Sequence, residues 1–225
     1  VWVGDVKYKD ISGPDGVPDG VIDDYDKTNI GSPMPKFTFG WTNTFRYKNF
    51  DLSVFINGSY GNKVYNYLSM KLTHMNSPWT NQLNAVNGRA QLVPINPNKV
   101  YEDGTMWYND VSNVMVANPG ASIPRATIND PNDNDRISDR YIEDGSYIRL
   151  KNISLGYTFP KKTIDKLGLS NLRIYANIQN LLTITGYDGY DPEIGASTSS
   201  VNVYGWDNGR YPSPTVYSFG LNVSF

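Results

Sequence analysis

The chain has 225 residues, room for one large or two small domains, and a formal net charge of -2 with no basic stripe, which argues against a nucleic-acid partner. It contains no cysteine and one histidine, so disulfides, thiol nucleophiles, cysteine-ligated metal centres and multi-histidine zinc sites are excluded. Aromatics make up 13% of the residues, 17 of them tyrosine, and long helical patterns are absent, as expected of an all-β chain. No run of about 18 apolar residues exists, so no transmembrane helix is expected. A barrel strand, which needs only about 10 residues with alternate ones apolar, stays possible.

The chain opens on "VWVGDVKYKD", with neither an initiator methionine nor a signal peptide, and is expected to be a piece of something longer. Next comes "DGVPDGVIDDYDK" (15–27), rich in aspartate and glycine. A helix–loop–helix calcium loop takes oxygen ligands at positions 1, 3, 5, 7, 9 and 12 with glycine at 6. Counting from Asp15, Asp19, Gly20, Asp23 and Asp26 fall at positions 5, 6, 9 and 12, but Val17 at position 3 has no ligating side chain. Counting from Asp10, with Ser12 third, requires "GPDGVP" to be an insertion. The candidate Ca2+ ligands are therefore Asp10, Asp15, Asp19, Asp23 and Asp26, and the alternative is a solvated acidic turn. In either case the loop braces and does no chemistry.

"KFTFGWTNTFRY" (36–47) alternates: Phe37, Phe39, Trp41, Phe45 and Tyr47 share one face, and Thr38, Thr42, Thr44 and Arg46 the other. After a tight turn at "KNFD", Phe50, Leu52, Val54, Ile56 and Tyr60 continue the apolar face, with Phe55 an exception on the polar one. This reads as a long hairpin. The stretch 61–145 is a long loop carrying Trp79, Trp107, Tyr108 and His74, the last expected to be an exposed bystander. Within it "NDPNDNDRISD" (129–139) is acidic, and no register supplies both ligands and glycine.

In "SYIRLKNISLGYTF" (146–159), Ile153, Leu155, Tyr157 and Phe159 share a face while Ile148 and Leu150 have the opposite parity. A bulge near Lys151–Asn152 would restore the register. A short link, "PKKTIDKLGLS", leads to 171–185, where Leu172, Ile174, Ala176, Ile178, Leu182 and Ile184 oppose Arg173, Asn177, Gln179 and Thr183. A second long loop, 186–214, carries Tyr187, Tyr190, Tyr204, Trp206 and Tyr211 among Asp188, Asp191, Asp207 and Arg210. The last strand sets Tyr217, Phe219, Leu221, Val223 and Phe225 against Ser218, Gly220, Asn222 and Ser224.

Alternation also suits a soluble sandwich. The strands, however, are long against a usual mode of about 5–6 residues, and the polar faces carry Arg46, Asp51 and Arg173, as a watery lumen would. Short and long links alternate, the pattern of outer-membrane barrels with short periplasmic turns and long extracellular loops. The chain end, Phe225, is then expected in the periplasm, as a terminal aromatic insertion signal.

The stretches "GDVKYKD", "DGVIDDYDKTNIGSPMPKFTFGWTNTFRYKNFDLSVFINGSYGNKVYN", "RISDRYIEDGSYIRLKNISLGYTFP", "LRIYANIQNLLTITGYDGYDPE" and "YSFGLNVSF" resemble, in order and spacing, the C-terminal barrel part of SusC/RagA-type TonB-dependent outer-membrane transporters of Bacteroidetes. The resemblance implies a barrel of about 22 strands. It also implies an N-terminal plug that this chain lacks, a SusD-like surface lipoprotein, and the TonB complex acting through the missing part. Residues 1–225 would be the C-terminal segment of that barrel, with the rest of the barrel and the lipid bilayer as neighbours. The cargo would be a glycan or a peptide, with Trp79, Trp107, Tyr187, Tyr190, Trp206 and Tyr211 as candidate contacts, since aromatic faces near carboxylates suit sugar rings. The same aromatics could instead pack the loops. The resemblance favours the acidic register that starts at Asp10.

The leading expectation is nutrient import without covalent chemistry. The alternatives are a secreted, calcium-stabilised, carbohydrate-binding β-sandwich and a hydrolase, although no carboxylate pair is marked by its setting as a glycosidase pair.

Overall fold

The computed structural model describes residues 1–194, 196–197 and 200–225. In chain order the strands are β1 (Phe37–Tyr47), β2 (Phe50–Tyr60), β3 (Lys63–Tyr65), β4 (Leu92–Pro94), β5 (Val114–Val116), β6 (Ile142–Asp144), β7 (Tyr147–Thr158), β8 (Asn171–Thr185), β9 (Ala196–Ser197), β10 (Ser200–Tyr204) and β11 (Val216–Ser224). Among the described residues helix is confined to α1 (Tyr67–Thr73), α2 (Lys161–Ile164) and short stretches of 3-10 helix. Two compact units result: residues 31–66 with 142–225, and residues 1–30 with 67–141.

The first unit is built on a five-stranded antiparallel sheet in the order β1-β2-β7-β8-β11. Its strands run to 11, 11, 12, 15 and 9 residues. Register joins the apolar residues of every strand on one face. Trp41 lies opposite Ile56, Leu52 opposite Leu155, Tyr157 opposite Ile174, and Ile174 opposite Leu221. This face is bare: Trp41 is 58% exposed, Ile184 62% and Phe219 83%. A soluble sheet would bury such a face, whereas a bilayer covers it without protein.

The parity break in β7 resolves as the sequence suggested. Phe55 pairs with Asn152 and Ile56 with Leu150, so Lys151 is the extra residue and Ile148 and Leu150 rejoin the apolar face. On β8 the matching irregularity falls at Asn180, whose φ of 52° is left-handed. The aromatic exceptions on the polar face are also accounted for. Phe55 lies over Gly40, where a Cβ would come within 3.2 Å of its ring, and Tyr175 covers Gly220, its cross-strand partner. A ring over a cross-strand glycine shields backbone that has no side chain of its own.

The links sort by end. Two residues join β1 to β2, with Lys48 at φ 52°, and α2 lies in the link from β7 to β8, which Gly168 at φ 69° helps to close. The links from β2 to β7 and from β8 to β11 leave from the other end of the sheet. Phe225 is 92% exposed, and its carbonyl accepts from Ser170 Oγ at 3.2 Å beside the short link.

The second unit has little regular structure and is tied by polar side chains. Its small apolar core includes Met70, Ala90, Val114, Ile123 and Tyr141. The segment "GDVKYKD" is fastened to residues 125–134: Val6 N–H donates to Asn134 Oδ1 at 2.8 Å, Asn132 Nδ2 to Val6 O at 2.9 Å, and Arg125 Nε to Asp5 Oδ1 at 2.8 Å. Half-buried Tyr8 donates to Asp133 O at 2.7 Å, and burial pushes its phenol up to about 12.

Candidate functional site

The polar face of the sheet carries its charge in two places. Near the short-link end, Arg173 of β8 reaches across β7 to Asp51 of β2, with Nη2 2.6 Å from Oδ2 and Nε 3.1 Å from Oδ1. The strand crossed presents Gly156 there, and any Cβ would run into both the guanidinium and the carboxylate. The glycine is what allows an ion pair to span three strands.

Near the other end stands Arg149 of β7. It is 3% exposed and opposite Asn57 and Thr183, hence on the polar face. It donates to Thr183 Oγ1 at 2.9 Å, Glu193 Oε2 at 2.8 Å and Asp191 Oδ1 at 2.5 Å. Lys151, the bulge residue, reaches the same Glu193 oxygen at 2.9 Å. The other Asp191 oxygen accepts from Ser213 N–H at 3.0 Å. Burial works against charge on Asp191, but the Arg149 guanidinium and the Ser213 and Glu193 N–H groups outweigh it and hold the carboxyl at about 2. A second anchor follows the same plan: buried Tyr187 donates to Asp207 Oδ2 at 2.5 Å, and Asp207 Oδ1 accepts from the N–H groups of Gly209 and Arg210. Burial, then the Asp207 carboxylate, pushes the Tyr187 phenol up.

The candidate cargo contacts therefore divide. Tyr187 is taken as an anchor, and Trp206 packs edge-on against Tyr65 with ring centroids 4.8 Å apart. Tyr190 and Tyr211 are 63% and 84% exposed between the anchors. In the other unit Trp79 is 92% exposed, and Trp107 lies edge-on to Tyr108 at 5.7 Å.

In the acidic loop, carboxylates close turns. Asp26 accepts from the N–H groups of Ile11, Ser12 and Asp23, chiefly Ile11, which holds its carboxyl below the usual carboxylate pKa. Asp10 accepts from Gly20 N–H at 2.6 Å, Asp19 from Val21 N–H at 2.9 Å and Asp23 from Tyr25 N–H at 2.8 Å, while Asp15 is exposed.

One expectation is corrected outright. His74 is no exposed bystander: it is 7% exposed, with Nε2 2.7 Å from Asp130 Oδ2 and Nδ1 3.1 Å from Asp135 Oδ2. Among the described residues this trio is the one group of three His, Asp or Glu side chains whose ligand atoms converge within 4.8 Å. The carboxylates flank opposite ring nitrogens, which makes a hydrogen-bonded clasp and not a ligand set facing one point. The acidic stretch 129–139 supplies it, with Asn134 Nδ2 donating to Asp130 Oδ1 and Asp5 Oδ1. Only the Asp-x-Asn-x-Asn spacing of 130–134 hinted at an inward-facing polar set.

No family model matches the chain. It is 35% identical over 211 residues to TonB-dependent receptor P3 of Formosa agariphila, covering 92% of this chain and 18% of the relative. To TonB-dependent receptor P26 of the same organism it is 33% identical, over 99% of this chain and 20% of the relative. To TonB-dependent receptor SusC of Bacteroides thetaiotaomicron it is 29% identical, over 92% and 17%. Solved structures of the RagAB peptide importer in its closed-closed and open-open states share the fold. Their TM-scores are 0.59 and 0.58 at 19% and 20% identity, over 95% and 94% of this chain and 20% of each of theirs. The chain thus spans about a fifth of the length of the curated relatives it matches. These relatives are receptors and transporters, so the chain is not read as an enzyme.

Proposed function

We propose, from the premise that this chain is homologous over nearly all its length to SusC-type TonB-dependent receptors, that it forms barrel wall in an outer-membrane importer of oligomeric nutrients. The observation that carries this is the continuous bare apolar face, from Trp41 through Leu155 to Phe219, backed by a polar face with its own ion pairs. Lipid would meet the first and water the second. A soluble β-sandwich would bury that face against a second sheet, whereas here Trp41, Ile184 and Phe219 are exposed.

A SusD-like surface lipoprotein and the TonB complex are the partners of this reading, by likeness to SusC and to the RagAB importer. The cargo is an oligosaccharide or a peptide. The exposed rings of Tyr190 and Tyr211 beside carboxylates support the first, and likeness to a peptide importer supports the second. Uptake of a fluorescent oligosaccharide and a fluorescent peptide of similar mass, by cells with and without the whole receptor, tests the reading. TonB-dependent entry of either supports it, and entry of neither, with the receptor folded at the surface, contradicts it.

The short links and Phe225 lie on the periplasmic side in this reading. Deleting Phe225 then lowers the amount of folded receptor in the membrane and leaves uptake per folded copy unchanged. Normal amounts with lost uptake would show the residue to have another role. The acidic loop with Asp10, Asp15, Asp19, Asp23 and Asp26 takes Ca2+ as a brace, supported by five carboxylates and the left-handed Gly16 and Gly20 in one loop. Calorimetry at millimolar calcium with no heat of binding would reject this.

A further inference from the structure

Arg149 and its partners have a geometric consequence beyond tying a loop down. The residue belongs to the polar face, because its neighbours Ile148 and Leu150 pair into the apolar one. Asp191 and Glu193 meet it on that side, so the segment around them returns against the inner surface of the wall. Asp191 also holds Ser213 N–H, which brings the far end of the same loop to the same place. Tyr187 and Asp207, 5% and 1% exposed, form the second tie between the two segments.

Each segment is therefore fixed on both sides of an exposed tyrosine. Tyr190 lies between buried Tyr187 and buried Asp191, and Tyr211 lies between Arg210, whose N–H is held by Asp207, and Ser213, held by Asp191. Immobilising two aromatic platforms in advance removes ordering cost from whatever binds them.

We propose that Arg149 is the positioning residue of an inward strap, residues 187–194 and 206–213, which lies on the inner face of the barrel wall and holds Tyr190 and Tyr211 as fixed platforms on the route of the cargo. This rests on the importer reading above. The strap narrows the passage on its side of the wall, and its rings meet neutral flat surfaces such as sugar rings by stacking. Charge holds the strap where an apolar contact would not. The inner face is mostly polar, and its aromatic exceptions Phe55 and Tyr175 are laid over Gly40 and Gly220, while a buried Arg with two carboxylates has one geometry and a high cost for losing a partner.

The chain has no cysteine, so single nitroxide labels can be placed in it. In the whole receptor, any cysteine elsewhere replaced, labels at Tyr190→Cys with Ser53→Cys on the inner wall should give one narrow distance distribution by pulsed electron spin resonance. Arg149→Met should broaden it and make the mobile spectral component dominant. Arg149→Lys, which keeps charge and loses the fork, should fall between, and Asp191→Asn should act like Arg149→Met. A label at Leu221→Cys in each variant reports whether the barrel is folded, because it must be reached by lipid-dissolved oxygen and not by an aqueous nickel chelate. If Leu221→Cys stays in lipid while Arg149→Met leaves the distance narrow, the strap proposal is wrong and the importer reading stands. If Leu221→Cys is reached from water in the unaltered background, the reading itself fails.

Discussion

The five-stranded sheet and the unit made of residues 1–30 and 67–141 use small polar residues in opposite ways. In the sheet, Thr42, Ser53, Ser154, Asn177 and Ser218 fill alternate positions of one face, which the proposed reading turns to water while lipid covers the other. In the other unit Asn113, Asn132 and Asn134 are 3%, 8% and 1% exposed, and their amides substitute for the backbone ladder that the segment lacks. A sheet satisfies its own N–H and C=O groups, so its side chains are free to specify a solvent. A loop-built unit must satisfy them with side chains, so each amide becomes a structural part.

This difference predicts where single changes are felt most. Asn134→Ala removes acceptors from Val6 N–H and Asn132 Nδ2 and a donor from Asp130 and Asp5. With several buried groups orphaned, the cost should be about 3–4 kcal/mol, seen as loss of amide protection across residues 4–8 and 125–135 while β7 and β8 keep theirs. Loss spread equally over both units would break the contrast.

On the sheet the large effects should follow one face only. Leu221→Arg should cost about 2–4 kcal/mol of folding in a bilayer if it sits near the midplane, and Asn222→Arg much less. Equal penalties at the two neighbouring positions would remove the distinction between faces. Gly156→Val should cost about 1–3 kcal/mol through its clash with Arg173 and Asp51, whereas Asp51→Asn, at a half-buried pair, should cost about 1 kcal/mol or less. The order of these two, measured by denaturant titration, distinguishes a packing role for the glycine from an electrostatic one for the pair.

The smallest effect is of pH. Asp191 is held at about 2 in the folded state, below an unfolded carboxyl near about 4. A lowered folded value adds stability above the unfolded one, and that stability is lost as pH falls from about 4 to about 2. Strap mobility should therefore be flat from pH 5 upward and rise only below pH 4. A rise between pH 6 and 7 would assign the tie to another group.

The sheet was legible in the sequence because a period of two is a local signal. Phe37 to Tyr47 and Tyr217 to Phe225 state their faces without reference to any partner, and even the Lys151 bulge shows as a break in parity. The buried clasp around His74 was not legible. Its members come from positions 74, 130 and 135, and a polar residue in a loop looks the same in sequence whether it turns outward or in. Four of the six candidate cargo contacts lie in 186–214, where Tyr187 and Tyr190 have the same local setting, and only the position of Asp207 makes one an anchor and leaves the other exposed. Arg149 went unnoticed because its carboxylate partners Asp191 and Glu193 lie in a loop that begins 37 residues after it.

The central claim is that one face of this sheet meets lipid and the other water. Labels placed one at a time at residues 217 to 224 of β11, in the whole receptor reconstituted in bilayers, measure it directly. Oxygen and nickel-chelate accessibility should alternate with a period of two, with Tyr217, Phe219, Leu221 and Val223 in lipid and Ser218, Gly220, Asn222 and Ser224 in water. Uniform access from water along both sets would contradict the barrel wall and return the sheet to a soluble fold.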